Sequence, residues 1–436
     1  MSLPIDSVLP EISQKLSETT SLVLQAPPGA GKTTGVPLHL LSSAWLGDKK
    51  IIMLEPRRLA ARAAAVRMSE MLGEAVGETV GYRIRLETKV GKNTRIEVVT
   101  EGILTRMLQS DPELSGVALI IFDEFHERSL QADLGLALCL EVQAALRDDL
   151  RILVMSATLD GEAVSSLMGG APIVTSQGRS FPVEIKYGAE TTRRNIPFDV
   201  ADKIAEVLAT EKGSILVFLP GVGEIRRVHD LLRAKSLPQN IEIRPLYGDL
   251  SLNEQRKAIA PSPKATQKIV LATSIAETSL TIDGVRIIID CGFMRSPRFD
   301  PSSAMTRLET LRVSRASAEQ RAGRAGRLEP GVCYRMWPEV QNGSLALQSK
   351  PEILEADLCS LVLELLSWGT YDPGELAWCD PPPSSSWNQA IELLSYLGAV
   401  DHEGRITSHG KEMSRLPLHP RLSHMLIRGK QEGEGW

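Results

Sequence analysis

A chain of 436 residues with 43% hydrophobic and 24% charged side chains is too long for one ordinary core and too apolar for a disordered segment. It has no apolar run of the ~18 residues a membrane helix requires, and MSLPIDSVLP lacks a basic stretch ahead of an apolar one, which argues against a secretory leader. A net charge of −5 gives no sign of a uniformly basic surface but leaves room for a local basic groove, and five scattered cysteines without a CxxC pair suit a reducing, cytoplasmic setting.

Short β-rich runs recur at SLVLQAP (Ser21–Pro27), KIIMLEP (Lys50–Pro56), RIEVVTEG (Arg95–Gly102), VALIIFDE (Val117–Glu124) and RILVMSAT (Arg151–Thr158). Helical patterns such as Arg57–Leu72 and Ala132–Arg147 alternate with them, which predicts a parallel sheet covered on both faces. Ser176–Tyr187, with its Gly, Pro and polar residues, reads as a boundary. The rhythm then restarts with Ser214–Pro220, Ile241–Gly248, Lys268–Ser274 and Arg286–Gly292, with a helix over Gly223–Lys235. Beyond Leu328 it gives way to helical spacing over Glu352–Gly369, a linker at Asp380–Trp387 and a further helix over Asn388–Val400. The predicted fold class is α/β, two tandem doubly wound parallel-sheet domains followed by a smaller helical part. The last helical region reads as unfinished, so the natural protein is expected to continue.

QAPPGAGKTT (Gln25–Thr34) follows the first strand and precedes a helix, close to the phosphate-loop pattern GxxxxGK[ST] with Ala26 in the first glycine position. Gly29, Ala30, Gly31 and Thr34 place backbone N–H groups at a helix N-terminus, which favours anions; Lys32 reaches terminal phosphates and Thr33 offers a hydroxyl to Mg²⁺. Pro27 and Pro28 pre-set the turn. Asp123 and Glu124 end the run VALIIF, at the carboxyl end of a strand, where doubly wound sheets bind ligands. Asp123 is expected to hold Mg²⁺ through water and Glu124 to orient and deprotonate the attacking water, with Thr33, Asp123 and Glu124 forming the metal-facing set. Two arginine groups stand out, Arg57, Arg58, Arg62 and Arg67, then Arg312, Arg315, Arg321, Arg324 and Arg327; on composition alone they read as solvated helix faces. In QRAGRAGR the spacing places Arg321, Arg324 and Arg327 on one side of a helix, suited to phosphate oxygens at a domain seam.

DEFH resembles the DExH box of superfamily 2 helicases of DEAH type, with Phe125 where Ala is usual. LEPRRLAAR, TEGILTRML, MSATLD, FLPGVGEI, LATSIAETSLTIDGV and SRASAEQRAGRAGR resemble the family's motifs Ia, Ib, III, IV, V and VI in order. The resemblance implies two RecA-like domains, 1–178 and 179–328, a winged-helix domain at 329–386 and the start of a ratchet-like bundle at 387–436. It implies ATP and Mg²⁺ as cofactors, with Lys32, Glu124, Gln320, Arg324 and Arg327 catalytic and Arg67 stacking on the base. The aromatic that normally faces the base from the second domain is missing in NEQRKAIAP, so other nucleoside triphosphates are expected to serve as well. His126, Ser156 and Thr158 are implied to couple the nucleotide site to the cleft. Arg58, Thr100, Arg106, Thr278 and Thr281 are implied to touch nucleic acid.

Phe293–Ser314 matches the place of a β-hairpin that such helicases set at a duplex junction. The implied activity is NTP-dependent 3′-to-5′ translocation on single-stranded or partly duplex RNA by a monomer with no membrane partner; an accessory protein cannot be read from the sequence. A nucleotide-gated RNA clamp and a DNA helicase stay open as alternatives. His402, His409, His419 and His424 are spaced too irregularly, without a clustered Cys or acid, to predict a metal site.

Overall fold

The computed structural model describes residues 3–157, 161–178, 181–235, 237–238, 240–261, 266–277, 282, 284–300, 303, 305–327 and 329–433. The first domain is an eight-stranded sheet of β1 (Ser21–Gln25), β2 (Lys50–Glu55), β3 (Val80–Ile84), β4 (Glu87–Lys89), β5 (Ile96–Thr100), β6 (Val117–Phe122), β7 (Arg151–Ser156) and β8 (Ile173–Thr175). Its order is β4-β3-β5-β2-β6-β7-β1-β8, and only β4 runs antiparallel to its neighbour. Every residue of β6 is buried because helices cover both faces, which is why the strand reads as an unbroken apolar run rather than an alternation.

The second domain holds β9 (Val183–Tyr187), β10 (Ser214–Phe218), β11 (Ile241–Leu246), β12 (Gln267–Ala272), β13 (Val285–Asp290) and β16 (Gly331–Arg335), all parallel, in the order β11-β12-β10-β13-β16-β9. β14 (Phe293–Asp300) and β15 (Met305–Arg312) form the expected antiparallel hairpin, which stands apart from this sheet. Two features shift the expected outline. The stretch read as a boundary supplies the edge strand β9, and β16 lies past residue 328, so the sheet closes later than the arginine motif.

The third part is helical. The segment expected as one helix over Glu352–Gly369 is a short 3₁₀ turn, Glu352–Leu354, followed by the helix Cys359–Trp368. The expected linker is half helix: Ser384–Tyr396 begins inside it, and Trp387 is buried. Helices Ser408–Ser414 and Pro420–Gln431 follow, with an antiparallel bridge between Val400 and Ile406. One apolar cluster runs from Val99, Leu104, Phe122, Phe125 and Leu134 of the first domain into Ile353, Leu361, Leu365, Trp387 and Leu394. Burial of that shared apolar surface, at roughly 25 cal/mol per Å², fixes the helical part against the first domain.

Candidate nucleotide site between the two sheets

The carboxyl ends of β1, β2, β6 and β7 converge on one point. After β1 the chain turns through Gly29 (φ 84°) and Gly31 (φ 92°), both left-handed, before the helix Lys32–Leu40 begins. A side chain at either position would be strained. At Gly31 it would also strike Leu3, since a Cβ there would lie 2.7 Å from that side chain. Ala30 is buried under the loop, and Thr34 sits half-buried on the first helical turn.

Lys32 Nζ lies 2.8 Å from Glu124 Oε1 and 3.2 Å from Asp123 Oδ1, all three side chains being almost completely buried. Thr33 Oγ1 donates to Asp123 Oδ2 at 2.5 Å, and the Glu124 N–H donates to Asp123 Oδ1 at 2.8 Å. Glu124 itself is left-handed, φ 52°, a conformation costly for a non-glycine residue. Burial would pull the Lys32 ammonium down, but the two carboxylates outweigh it and hold the pKa above the usual lysine range. Burial likewise opposes ionisation of Glu124, yet Lys32 and His126 bring its pKa down to about 2. Glu124 is therefore a carboxylate whose Oε1 is held by Lys32 and whose Oε2 accepts no hydrogen bond from the described residues.

His126 Nδ1 accepts from the Ala157 N–H at 3.3 Å and lies 3.5 Å from Glu124 Oε2. Its proton is therefore assigned to Nε2, and burial lowers its pKa to about 4, so the ring is neutral near pH 7. Ser156, the last residue of β7, is buried beside it. Sequence reading missed Glu55, the last residue of β2. It is fully buried next to Asp123, and burial followed by the charges of Asp123 and Glu124 pushes its pKa well above the carboxylate range. Three buried carboxyl groups thus face the single ammonium of Lys32. A cluster of hard oxygen donors, with Thr33 Oγ1 and Asp123 Oδ2 adjacent, fits a magnesium ion.

Across the seam stand the arginines of the second domain. They do not share a helix face as the spacing predicted, because the helix Arg315–Ala322 ends before Arg324. Nor are they solvated. Arg321 turns inward to Glu277 (3.1 Å) and Asp290 (2.8 Å) beneath its own sheet. Arg324 is buried and donates through Nε to the Glu277 carbonyl at 2.9 Å. Arg327 reaches the phosphate loop itself: a Cβ built on Gly29 would lie 3.5 Å from Arg327 Nε. Gln320 is half-buried on the last turn of the same helix.

Arg57, half-buried beside the predicted Arg58, spans the seam, donating to the Ser274 carbonyl at 2.8 Å and to Glu127 at 3.1 Å. Its signal lay in PRR, where the sequence alone gave no reason to prefer one arginine over the other. Glu277 was missed because its partners Ser317, Arg321 and Arg324 are at least 40 residues away.

The remaining predicted residues are more dispersed. Arg67 is exposed and pairs with Glu70 of its own helix at 3.4 Å. Arg58 and Arg106 are exposed on the helices Arg58–Leu72 and Glu101–Ser110, and Thr100 caps the latter, so these three lie on the carboxyl side of β2 and β5. Thr158, Thr278 and Thr281 lie outside the described residues.

Comparison with known proteins follows this geometry. The DEAD/DEAH box helicase family matches residues 6–167, the helicase conserved C-terminal domain 199–329, and the winged-helix helicase associated domain (HA2) 390–418, further along than the 329–386 span assigned from sequence. The chain belongs to the DEAH-box helicases, with two RecA-like domains and an HA2 winged helix. It is 53% identical over 433 residues to the ATP-dependent RNA helicase HrpB of Escherichia coli, covering 99% of this chain and 53% of that protein. It is 38% identical to the pre-mRNA-splicing factor ATP-dependent RNA helicase prp22 of Schizosaccharomyces pombe, covering 37% of it. Two crystal structures of E. coli HrpB superpose with TM-scores of 0.94 and 0.88 at 53% identity, each covering 99% of this chain and about half of the solved one. The chain thus spans about half the length of HrpB.

Proposed function

We propose that the chain hydrolyses nucleoside triphosphate at the seam between its two sheets and uses the opening and closing of that seam to move 3′ to 5′ along RNA, unwinding or remodelling it. The observation that carries the reading is the pairing of Lys32, Thr33, Asp123 and Glu124 on one wall with Arg324 and Arg327 on the other.

The backbone N–H groups from Gly29 to Thr34 and the Lys32 ammonium bind the terminal phosphates. Glu124 Oε2, which accepts no hydrogen bond from the described residues, takes the proton of the attacking water. Thr33 and Asp123 would hold magnesium, which supplies charge neutralisation on the phosphate oxygens. Arg327, with Arg324 behind it, meets the charge that develops on the transferring phosphoryl group, so hydrolysis requires the second domain to be closed. Gln320 orients the water. Neutral His126, bonded to the backbone after β7, relays the state of the site to the cleft through Ser156 and Thr158.

Nucleic acid lies on the carboxyl side of the first sheet, at Arg58, Thr100 and Arg106, and on the second domain at Thr278 and Thr281. Contacts of this kind go to the sugar-phosphate backbone and are sequence-independent. The hairpin β14–β15, exposed at Met305 and Leu308, is the element that parts a duplex in this reading. The proposed setting is cytoplasmic, and no described helix is long and apolar enough to cross a membrane.

The test is NTP hydrolysis by wild type and Glu124→Gln, with and without RNA and DNA oligomers. Wild type should be stimulated by single-stranded RNA, and the variant should lose roughly 10²–10⁴ in turnover while still binding nucleotide. Full turnover in Glu124→Gln would remove the assigned base.

A further inference from the structure

Of the residues that follow Glu124, Phe125 and Arg128 have no part in the chemistry above, yet the turn they belong to is tightly held. Glu124 (φ 52°) and Arg128 (φ 49°) are both left-handed and enclose a single 3₁₀ turn, Phe125–Glu127. Non-glycine residues hold such angles only where surrounding contacts over-determine them. At the first end the determinants are Lys32 and Asp123. At the second end they come from outside the nucleotide site.

The Arg128 guanidinium is bidentate on Asp133, at 3.0 and 3.2 Å, and its Nη2 also donates to Asp380 at 2.8 Å, in the helical part of the chain. The Arg128 carbonyl accepts from the Glu352 N–H at 3.0 Å, and the Glu352 carboxylate takes the Leu130 N–H at 2.9 Å. Between the two ends, Phe125 is 2% exposed. It lies edge-on to Phe122 at 6.1 Å, with the Arg128 guanidinium 5.8 Å from its ring centroid. An alanine there would leave the turn without this packing.

We infer that Arg128 is a positioning residue, which clamps the turn carrying Glu124 to Asp380 and Glu352 so that the seating of the helical part sets the orientation of the hydrolytic carboxylate. The inference rests on the reading of Glu124 as the base. A five-residue turn hydrogen-bonded at both ends, to Asp123 at one and to Asp133, Asp380 and Glu352 at the other, has little room to absorb a displacement of one end without moving the other. Phe125 fills the space beneath the turn, so a shift of Arg128 moves Glu124 rather than collapsing the loop. The helical part thereby gains control over hydrolysis without touching nucleotide.

Asp380→Ala removes one arm of the clamp from a position outside the first domain. The expected result is a loss of roughly tenfold in kcat, as for a small misplacement of a reacting group, with KM for nucleotide within about twofold of wild type. Thermal unfolding and the fraction of nucleotide-binding sites should stay at wild-type values, and Asp380→Glu should restore most of kcat. Hydrogen exchange in 121–130 should quicken in Asp380→Ala.

An unchanged kcat with unchanged exchange overturns the inference. So does a kcat loss matched by an equal loss of binding sites or of thermal stability, since that is the mark of a merely structural contact. Absence of hydrolysis in wild type would strike the proposed function instead, and exchange in 121–130 would then decide the clamp alone.

Discussion

The first domain meets its two neighbours in opposite ways. Towards the helical part it shares one continuous apolar cluster, in which Leu361, Leu365 and Trp387 pack with Leu104, Leu134 and Leu138. Trp368 also donates to Glu141 at 2.7 Å, and Gln131 to Glu364 at 3.5 Å. Towards the second domain, no apolar cluster of described residues crosses the seam; each face of the second sheet has its own. What crosses there is polar: Arg57 to the Ser274 carbonyl, and Arg327 against Gly29. Apolar burial is non-directional and is lost only by exposing the whole face, whereas a few hydrogen bonds can be exchanged for water or phosphate at little net cost. The first seam is therefore built to stay shut and the second to open.

The sharpest way to break this contrast is Arg327→Ala. If the polar seam exists to deliver charge to a phosphate, hydrolysis should fall roughly 10³-fold while nucleotide affinity, followed with a fluorescent analogue, changes little. An unaffected rate would leave that seam without a catalytic purpose.

Leu365→Ala probes the other side. Leu365 is fully buried in the helix Cys359–Trp368 and belongs to the apolar cluster shared with the first domain. Its removal should cost about 2–5 kcal/mol and lower a single unfolding transition shared by the first domain and the helical part. Two separate calorimetric transitions would show that the cluster is not one core.

A smaller effect tests how dry the permanent seam is. Burial, only partly offset by Gln131 and Arg106, raises the Glu364 pKa to about 7, from 4.5 when exposed. The folded state then binds more protons than the unfolded chain between these values, so stability falls as pH rises from about 4.5 to 7. Glu364→Gln, which keeps the bond to Gln131, should abolish that loss. The variant should match wild type near pH 4 and exceed it by about 1–2 kcal/mol at pH 8 in denaturant titrations. A pH-independent difference would mean that water reaches the carboxyl.

Much of this was legible in the chain. QAPPGAGKTT and VALIIFDE each carry their meaning in consecutive residues, because a phosphate loop and a strand-end carboxylate pair are local constructions. The central strands β1, β2, β6 and β7, buried on both faces, announced themselves as apolar runs. Three of the four edge strands of the two large sheets did not: β4 is largely exposed, β8 is three residues long, and β9 is only half-buried, so none needs a continuous apolar pattern. The arginines misled for a related reason. Spacing can place Arg321, Arg324 and Arg327 on one helix face, but only Glu277, from the turn after β12, and Asp290, at the end of β13, turn Arg321 inward and anchor Arg324.

The sequence by itself determined the fold class, the position of the phosphate loop and the identity of the acids, since these follow from side-chain chemistry and short-range backbone geometry. Tertiary structure alone decided which arginine reaches the loop, why Phe125 is aromatic, and which seam is permanent. Those answers depend on pairs such as Gly29 with Arg327 and Arg128 with Asp380, about 300 and 252 residues apart. No local pattern records such distances, because the chain brings these groups together only when both sheets and the helical part are in place.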